Sequence, residues 1–343
     1  MCDYDPDRRR FLKASIAAPA LAAAALSFEE QNLMARGAGP DKPARAGGKT
    51  GAGTGGDPLP AGRIKDLKIS RLICGGNLIG GWAHSRDLVY VSELVKAYHT
   101  DEKVLDTLEL AEENGVNTVL TNPRSDKVIK RYWDERGGKI QWISDCAWGK
   151  TITEGIKRSV DSGAHAVYVQ GGLADKAVQQ GKTAQLGEAL ATIQELGVPG
   201  GLGAHSLETI KACIGAGFEP DFWVKTLHSD NYWSATPKKN RRPFNEVGGN
   251  SLKPGEFHDN MFCNDPQGTI DYMKSLKKPW IAFKVMAAGA IHPRSAFKFA
   301  FEGGADFVCA GMFDFQLVED VIIARKILQD PGLTGRRPRA WMA

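Results

Sequence analysis

The sequence predicts a single α/β domain with the architecture of a (β/α)8 TIM barrel. From residue 63 onward, short apolar runs alternate with amphipathic segments of helical period, and the alternation is repeated eight times. The runs are apolar at consecutive positions, which is typical of parallel strands covered on both faces. An open doubly wound sheet gives the same alternation, but eight such even units favour closure into a barrel.

The strands and helices can be placed along the chain in order. The predicted strands cover residues 69–75, 117–122, 140–146, 164–170, 198–204, 221–228, 279–286 and 305–311, and the predicted helices cover 101–114, 125–136, 151–162, 183–197, 206–217, 266–276, 293–303 and 314–329. We expect Thr100 to cap the first helix and Gly115 to end it. Asp265 and His292 each place a side-chain acceptor before a proline at the start of a helix.

The N-terminus carries the pattern of a twin-arginine export signal. Residues 7–13 read Asp-Arg-Arg-Arg-Phe-Leu-Lys, and an alanine-rich apolar run follows over residues 14–28. The run is too short and too weakly apolar for a membrane span of about 20 residues, so no stable span is expected after processing. The predicted location is periplasmic or otherwise extracytoplasmic, with the twin-arginine export machinery as a partner. The alternatives are an uncleaved anchor and a cytoplasmic protein with a chance basic N-terminus.

Composition sets the remaining boundaries. The stretch after the signal is rich in Gly, Ala and Pro with almost no large apolar side chain, so it cannot offset the entropy cost of ordering. The chain therefore divides into a signal peptide (1–28), a disordered tether (29–62), the barrel (63–330) and a C-terminal tail (331–343).

Charge and cysteine content exclude several classes of protein. The net charge of the 343 residues is only +4, and no basic stripe with interleaved aromatic residues suggests nucleic-acid binding. The six cysteines are scattered, without the spacing of a disulfide framework or of a zinc site. Cys74, Cys146, Cys213 and Cys309 lie in apolar runs or helices and are predicted to be buried thiols.

Two connections are much longer than the others, and both follow a strand. They cover residues 77–99, after the first strand, and 229–264, after the sixth, so both lie on the C-terminal face, where barrel active sites are found. Their aromatic rings suit a sugar or another polar ring-shaped ligand; His84 lies in the first loop. The alternative is a loop that packs on itself or contacts another subunit. The predicted substrate-binding residues, in these loops and at other strand ends, are Asn77, Trp82, Asn122, Arg124, Gln170, Tyr232 and Trp233.

Two lysines on neighbouring strands are the first catalytic candidates. Strand alternation predicts that Lys225 points into the barrel in phase with Trp223 and Leu227, and that Lys284 points inward beside Ala282. Desolvation and like charge would each lower the pKa of an ammonium there, giving an amine suited to proton abstraction or Schiff-base formation. Alternatively, both lysines stay charged and bind a carboxylate or phosphate, or each forms a salt bridge to an inward acid such as Asp145.

Two histidines end adjacent strands and are the natural proton carriers near neutral pH. His205 follows the fifth strand and His228 follows the sixth, so both imidazoles are expected within reach of one reacting group. With Asp145 they could instead hold a divalent metal, but no sequence spacing specifies such a site. Each histidine could also be a hydrogen-bonded structural group.

Glycines after the last two strands mark a third candidate feature. Gly289 and Gly311, with Met312 beside the latter, occupy positions where many barrels bind a phosphate through backbone N–H groups and a helix start. An ordinary tight turn is the alternative explanation of these glycines.

Both ends of the barrel resemble a known family. Residues 67–77, Leu-Lys-Ile-Ser-Arg-Leu-Ile-Cys-Gly-Gly-Asn, follow a predicted short hairpin and look like the opening of aldo/keto reductases. Residues 305–312, Ala-Asp-Phe-Val-Cys-Ala-Gly-Met, and the helix after them resemble the family's final strand and cofactor-side helix. The resemblance covers about residues 63–330. It implies a (β/α)8 barrel and a nicotinamide nucleotide, NAD(P), at the end of the barrel that carries Gly311.

The catalytic residues of that family are not matched. The family uses an Asp after the second strand, a Tyr shortly after it, a Lys after the third strand and a His after the fourth. The corresponding strand ends carry Asn122, Asp145 and Gln170 here, and residues 123–125 contain no Tyr. Carbonyl reduction by hydride and tyrosine-proton transfer therefore lacks its proton donor.

We therefore expect an exported barrel enzyme that acts on a polar carbonyl-bearing or sugar-like small molecule. Its chemistry would be lysine and histidine acid–base catalysis of the isomerase, lyase or aldolase type. One alternative is an atypical NAD(P)-dependent oxidoreductase of aldo/keto reductase ancestry. Another is a catalytically inactive barrel that binds a ligand.

The export signal gives the first testable prediction. Replacing Arg8 and Arg9 by Lys keeps the charge but removes the arginine pair of the pattern, so the protein should remain in the cytoplasm when cells are fractionated. The control is Lys13→Arg, which should leave export unchanged. Unchanged export of the double variant would exclude a twin-arginine signal.

Overall fold

The alternation of buried strands and amphipathic helices closes into a barrel. A computed structural model describes residues 58–84, 88, 90–244 and 260–343. The predicted signal and nearly all of the tether lie outside these described residues, and so does part of the second long loop.

The strands and helices of the described residues are as follows. The strands are β1 (Ala61–Ile64), β2 (Leu67–Ser70), β3 (Leu72–Gly75), β4 (Thr118–Thr121), β5 (Gln141–Ser144), β6 (Ala166–Val169), β7 (Gly200–Ala204), β8 (Phe222–Thr226), β9 (Trp280–Phe283) and β10 (Phe307–Ala310). The helices are α1 (Val91–Tyr98), α2 (Asp101–Glu113), α3 (Asp126–Arg136), α4 (Ile152–Asp161), α5 (Gly171–Gln179), α6 (Ala184–Glu195), α7 (Leu207–Gly215), α8 (Pro266–Met273), α9 (Pro293–Glu302), α10 (Asp314–Leu328) and α11 (Leu333–Arg336). Short 3-10 turns occupy Pro123–Ser125 and Lys238–Asn240.

Strands β3 to β10 form the barrel. They pair in parallel in the order β3-β4-β5-β6-β7-β8-β9-β10, and β10 pairs with β3 to close the ring. The predicted (β/α)8 barrel is therefore confirmed, and the open sheet is excluded. The predicted helix ends are confirmed as well, since Thr100 accepts from the Lys103 amide and Asp265 from the Gly268 amide.

Alternate side chains of each strand fill the inside of the barrel. Ile73, Leu120, Ile143, Ala166, Tyr168, Phe222, Val224, Ile281, Phe307 and Cys309 form this interior cluster. The intervening residues pack against the helices, and large rings such as Trp142, Trp223 and Trp280 belong to that outer layer. The interior is thus a packed apolar core, and polar groups are confined to the strand ends.

The first predicted strand is two strands. It breaks at Arg71, because β2 pairs with β1 as an antiparallel hairpin while β3 belongs to the barrel. Ile64 and Ile69 of the hairpin pack under the interior cluster, and Asn117, just before β4, donates to the Lys68 carbonyl oxygen at 2.9 Å. The hairpin therefore closes the N-terminal end of the barrel. It begins at Ala61, just inside the predicted tether.

Helices α1, α5 and the short α11 have no counterpart in the prediction. Helix α1 lies in the first long loop, and Val95 is the residue of this helix that is buried. Helix α5 begins at a Gly-Gly pair in a stretch to which the prediction assigned no element, and the Gln170 side chain caps it by accepting from the Leu173 amide at 3.0 Å. Tertiary packing overrides the low helix propensity of glycine at this position.

The predicted tail is part of the barrel rather than an extension of it. Arg337 and Arg339 are buried beside Asp306, which precedes β10, with N–O distances of 3.7 and 3.1 Å. The Asp306 carboxylate also accepts from the Trp280 and Met342 amides. Residues 331–343 therefore pack across the N-terminal end of the barrel next to the hairpin.

The predicted buried thiols are confirmed. Cys74, Cys146, Cys213 and Cys309 are free and buried, as is Cys263. Among the described residues, no helix is both long enough and apolar enough to span a bilayer.

The buried ion pairs of Asp306 give the second prediction. Asp306→Asn should lower the free energy of unfolding by about 3–5 kcal/mol, because it leaves two buried guanidinium groups without a counter-charge. Urea denaturation measures the difference. The control is Glu208→Gln, which breaks the exposed pair with Lys211 and should cost about 1 kcal/mol or less. An equal effect of the two changes would contradict this role for Asp306.

Candidate active site

A cluster of basic side chains lies at the C-terminal end of the barrel. Lys284 follows β9, and its Nζ lies 2.6 Å from Nε2 of His84 in the first long loop. The same Nζ lies 4.1 Å from the ring centroid of Phe262, which comes from the second long loop. The His84 and Phe262 rings meet edge to face at 4.8 Å. Both long loops therefore contribute to one site, as their position after strands predicts.

The position of Lys284 depends on its backbone. On β9, Ile281 and Phe283 belong to the barrel interior, whereas Trp280 and Ala282 face the helices. The prediction therefore assigned the two faces of β9 the wrong way round. The observed alternation, continued to residue 284, would direct Lys284 outward. Lys284 instead has a φ of +57°, in the left-handed region that lysine rarely adopts. We attribute its place at the mouth to this turn at the strand end.

His205 belongs to the same cluster and has a carboxylate partner. It follows β7, and its ring lies 5.3 Å from that of Phe283. Its Nδ1 lies 2.9 Å from Oδ2 of Asp175, a fully buried residue of helix α5. Burial is the largest effect on His205 and lowers its pKa, while Asp175 opposes the shift and the charges of Lys284 and Lys225 add to it. His205 is therefore neutral near neutral pH.

The other imidazole of the cluster is also neutral. Burial is the largest effect on His84, and together with the nearby charges of Lys284 and His205 it lowers the pKa to about 3. A neutral imidazole carries one N–H and one lone pair, so His84 can accept a hydrogen bond from an ammonium group at Nε2. The contact with Lys284 is consistent with that arrangement.

Lys225 does not point into the barrel, and this prediction was wrong. It pairs in register with Ala204 and Ala282, which both belong to the layer between strands and helices. The inward positions of β8 are Phe222 and Val224 instead. The Lys225 ammonium is buried and donates to the carbonyl oxygen and the hydroxyl of Thr226, at 3.0 and 2.9 Å.

The predicted pair of inward lysines is therefore not formed. Lys225 does not form the alternative salt bridge either, because no carboxylate of the described residues lies within ion-pair distance of its ammonium group. Asp145 instead accepts from the Asn122 side chain and the Ala147 amide, both at 2.9 Å.

His228 is a structural group in this geometry. Its Nδ1 lies 2.9 Å from the Ser229 carbonyl oxygen, and its Nε2 accepts from the Phe262 and Cys263 amides, both at 3.0 Å. Both ring nitrogens are therefore used, and none is left for a substrate. The Thr226 hydroxyl lies 2.6 Å from the Phe262 carbonyl oxygen. Together these bonds hold the backbone of Phe262, whose ring lies under Lys284.

Asp145 lies at another strand end, after β5. Burial raises its pKa to about 6, and its hydrogen bonds from Ala147 and Asn122 oppose the shift. Its charge also contributes to raising the pKa of Tyr168 in the barrel interior. Asp145 is therefore a carboxyl that can exchange a proton near neutral pH.

The remaining predicted substrate-binding residues do not gather at the cluster. Asn122 and Gln170 act as local caps, since they accept from the Arg124 and Leu173 amides. Asn77, Arg124, Trp82 and Trp233 are exposed, and Trp233 keeps 82% of its surface. The Tyr232 hydroxyl donates to the Asn260 carbonyl oxygen, so the described parts of the second loop pack on themselves.

The predicted phosphate-binding positions are explained by backbone packing. Gly289 has a φ of +87°, which favours glycine. Gly75 and Gly311 approach so closely that a Cβ on Gly75 would lie 2.8 Å from the Gly311 nitrogen. The Met312 side chain is buried in the layer between strands and helices. A nucleotide at these residues stays a prediction.

The residues present do not fit nicotinamide chemistry of the aldo/keto reductase kind. Asp145 stands where a lysine is required, Gln170 caps a helix, and the Asn122 side chain is fully hydrogen-bonded. In the part of the chain that the structure describes, no group of three His, Cys, Asp or Glu side chains is arranged to hold a metal ion.

The sequence analysis predicted no functional role for three residues of the cluster. His84 stood out as a loop residue only, while Phe262 and Asp175 had no signal. Phe262 lies near the end of the second long loop, and Asp175 lies on helix α5, which the sequence did not predict. No local pattern reports the contact of Asp175 with His205, because 30 positions separate them.

Comparison with known proteins supports the fold. No family model and no curated protein sequence matches the chain. A predicted aldo-keto reductase from Pseudomonas aeruginosa has a similar structure, with 18% identity and a TM-score of 0.52 over 80% of this chain and 98% of that one. A second structure so described, from the same organism, has 17% identity, a TM-score of 0.52 and the same coverage. These similarities show a (β/α)8 barrel fold.

The buried His228 gives the third prediction. Burial lowers its pKa to about 4, below the value of about 6.5 in an unfolded chain, so acid favours unfolding. The contribution of neutral His228 to the free energy of unfolding is fully present above pH 6.5. It is lost as the pH falls toward 4, and the loss is at most about 3 kcal/mol.

Urea denaturation at pH 7 and pH 4.5 tests this expectation. His228→Gln keeps a hydrogen-bond acceptor but cannot titrate, so its acid-induced loss should be smaller than that of the parent protein. The control is His292→Asn, which replaces a half-exposed helix cap by another good cap. The same pH dependence in the His228 variant and the parent would refute a buried neutral imidazole.

Proposed function

We propose that the protein is an enzyme that acts on a small polar carbonyl compound through an amine, Lys284, and two neutral imidazoles, His84 and His205. The contact of 2.6 Å between Lys284 Nζ and His84 Nε2 carries the proposal. It joins a nucleophile to a group that can take its proton, which is the arrangement that covalent catalysis by lysine needs.

The proton on Lys284 has a direct acceptor. The ammonium group donates to the lone pair of His84 Nε2. Because the pKa of His84 is about 3, the imidazole does not keep this proton but can relay it to the carbonyl oxygen as the amine attacks. The Phe262 ring lies on the apolar side of the amine and excludes water from it. Phe262 is itself fixed by His228 and Thr226, so the amine has a rigid platform.

The free amine can then attack a substrate carbonyl. A bond forms between Nζ and the carbonyl carbon, and the carbonyl oxygen takes up the proton that leaves Lys284 and is relayed by His84, which gives a carbinolamine. Loss of this hydroxyl as water, with departure of a proton from nitrogen and re-protonation of the imine, gives a cationic Schiff base on Lys284. The positive nitrogen withdraws electrons from the neighbouring carbon, whose proton or carbon–carbon bond is then weakened.

His205 is the second acid–base group in the proposal. It lies in the neighbourhood of Lys284 and His84, because its ring centroid lies 6.5 Å from that of Phe262, which both of them contact. As a neutral imidazole it can remove a proton from the carbon next to the Schiff base or return one to it. This chemistry is common to aldolases, lyases and isomerases, and it needs no hydride donor.

The amine of Lys284 indicates a substrate with a carbonyl group, and the polar side chains of the site indicate that this substrate is polar. The cluster brings together two imidazoles and an amine, and Asp145 lies at another strand end of the same face. Such groups suit a hydroxylated carbonyl compound, which is small and sugar-like. Action outside the cytoplasm is part of the proposal and rests on the predicted export signal.

Reductive trapping gives the fourth prediction. With dihydroxyacetone, glyceraldehyde or pyruvate as the probe, sodium borohydride should reduce the Schiff base and leave a stable adduct on Lys284, which peptide mass spectrometry locates. Lys284→Arg keeps the charge and cannot form the adduct, so labelling should fall at least tenfold. The control is Lys274→Met at a half-exposed surface position, which should keep the adduct.

Three outcomes decide between the proposal and its alternatives. Absence of an adduct with all three probes, or equal labelling of the Lys284→Arg variant, would contradict the proposal. Quenching of tryptophan fluorescence by micromolar NADPH or NADH in the same protein would favour an atypical oxidoreductase instead. Binding of a probe without any adduct would favour a barrel that only binds its ligand.

A further inference from the structure

We propose that Asp175 is a positioning residue that holds His205 in one tautomer, with the proton on Nδ1 and the lone pair on Nε2 directed to the mouth of the barrel. The inference rests on the proposed function for its catalytic consequence. The structural part, the tautomer of His205, can be measured without any substrate.

The hydrogen bonds of Asp175 determine the tautomer. Its carboxylate is fully buried and accepts the His205 and Ser206 amides at 2.9 and 3.3 Å and the Thr209 hydroxyl at 2.6 Å. The fourth contact is His205 Nδ1, at 2.9 Å from Oδ2. An ionised carboxylate can only accept, so Nδ1 must be the donor and must carry the proton.

The second ring nitrogen is left for chemistry. Among the described residues, no group hydrogen-bonds His205 Nε2, and the side chain keeps about 10% of its surface exposed. The rings of Phe262 and Phe283 lie beside the imidazole at 6.5 and 5.3 Å. Nε2 therefore carries a lone pair in an apolar setting next to Lys284.

The start of helix α5 fits closely around the imidazole. A Cβ on Gly171 would lie 3.1 Å from both Cε1 and Nδ1 of His205, so any larger residue would crowd the ring. The helix that brings this glycine against the ring also carries Asp175, four residues along. The ring is thus fixed by backbone on one side and by a carboxylate on the other.

This arrangement has a defined effect on a bound Schiff base. Nε2 takes the proton from the carbon next to the imine, and the electron pair of that C–H bond moves to form an enamine while the nitrogen loses its positive charge. The resulting imidazolium keeps its Nδ1–H bond to Asp175, whose negative charge stabilises it. Asp175 does not itself take the proton.

The test is the variant Asp175→Asn, followed by nitrogen-15 NMR of the histidine rings in the full protein. The asparagine amide can donate to Nδ1, so His205 should switch to the tautomer with the proton on Nε2. In parent protein the Nδ1–H tautomer is expected. The matched control is Thr209→Val, which removes another bond to the same carboxylate and should leave the tautomer unchanged.

The catalytic consequence is measured by exchange of the carbon-bound hydrogens of dihydroxyacetone with deuterium oxide. Exchange should fall by about 10²- to 10⁴-fold in Asp175→Asn, as when a general-base histidine takes the wrong tautomer. Borohydride trapping on Lys284 should persist, because amine attack does not use His205. The pH midpoint for exchange should also fall, since the carboxylate charge no longer supports the imidazolium.

The outcomes separate this inference from the proposed function. An Nε2–H tautomer in the parent protein would overturn the assignment, even if the variant did not fold. A tautomer switch with unchanged exchange would overturn the positioning role. Failure of Lys284 trapping in the parent protein would count against the proposed function, while the tautomer measurement would still test Asp175.

Discussion

The closed ring of parallel strands is the constraint on which the rest of the structure depends. Every strand sends one face into an interior that large side chains such as Tyr168, Phe222 and Phe307 fill, and the other face toward the helices. The hairpin and residues 331–343 close the N-terminal end. The charged side chains that are accessible for a reaction therefore lie at the C-terminal ends of the strands.

At that end, one aromatic ring organises the basic cluster. Phe262 contacts His84 and lies under the Lys284 ammonium, while its backbone is held by His228 and Thr226. His228 thus contributes to the site at one remove, by fixing a loop backbone. Lys225 also contributes indirectly, because it donates hydrogen bonds to Thr226. Buried polar groups of this kind must be fully bonded, and their bonds make the platform rigid.

The strand ends of this (β/α)8 barrel carry groups of two kinds. Asn122 and Gln170 stabilise local backbone. The basic groups lie at other strand ends and in the first long loop. A barrel tolerates such variety, because its loops can vary while the strands keep the fold.

The sequence by itself determined the barrel, most of its strands and helices, the helix caps such as Thr100 and Asp265, and the buried thiols. These features depend on periodicity and on neighbours within a few residues. It also predicted that Lys284 and His205 lie at the C-terminal ends of strands. Only the tertiary structure decided which side chains meet: a left-handed turn redirected Lys284, register placed Lys225 against the helices, and helix α5 brought Asp175 to His205. Those outcomes depend on backbone angles at strand ends and on contacts between distant residues, which no local pattern of side chains encodes.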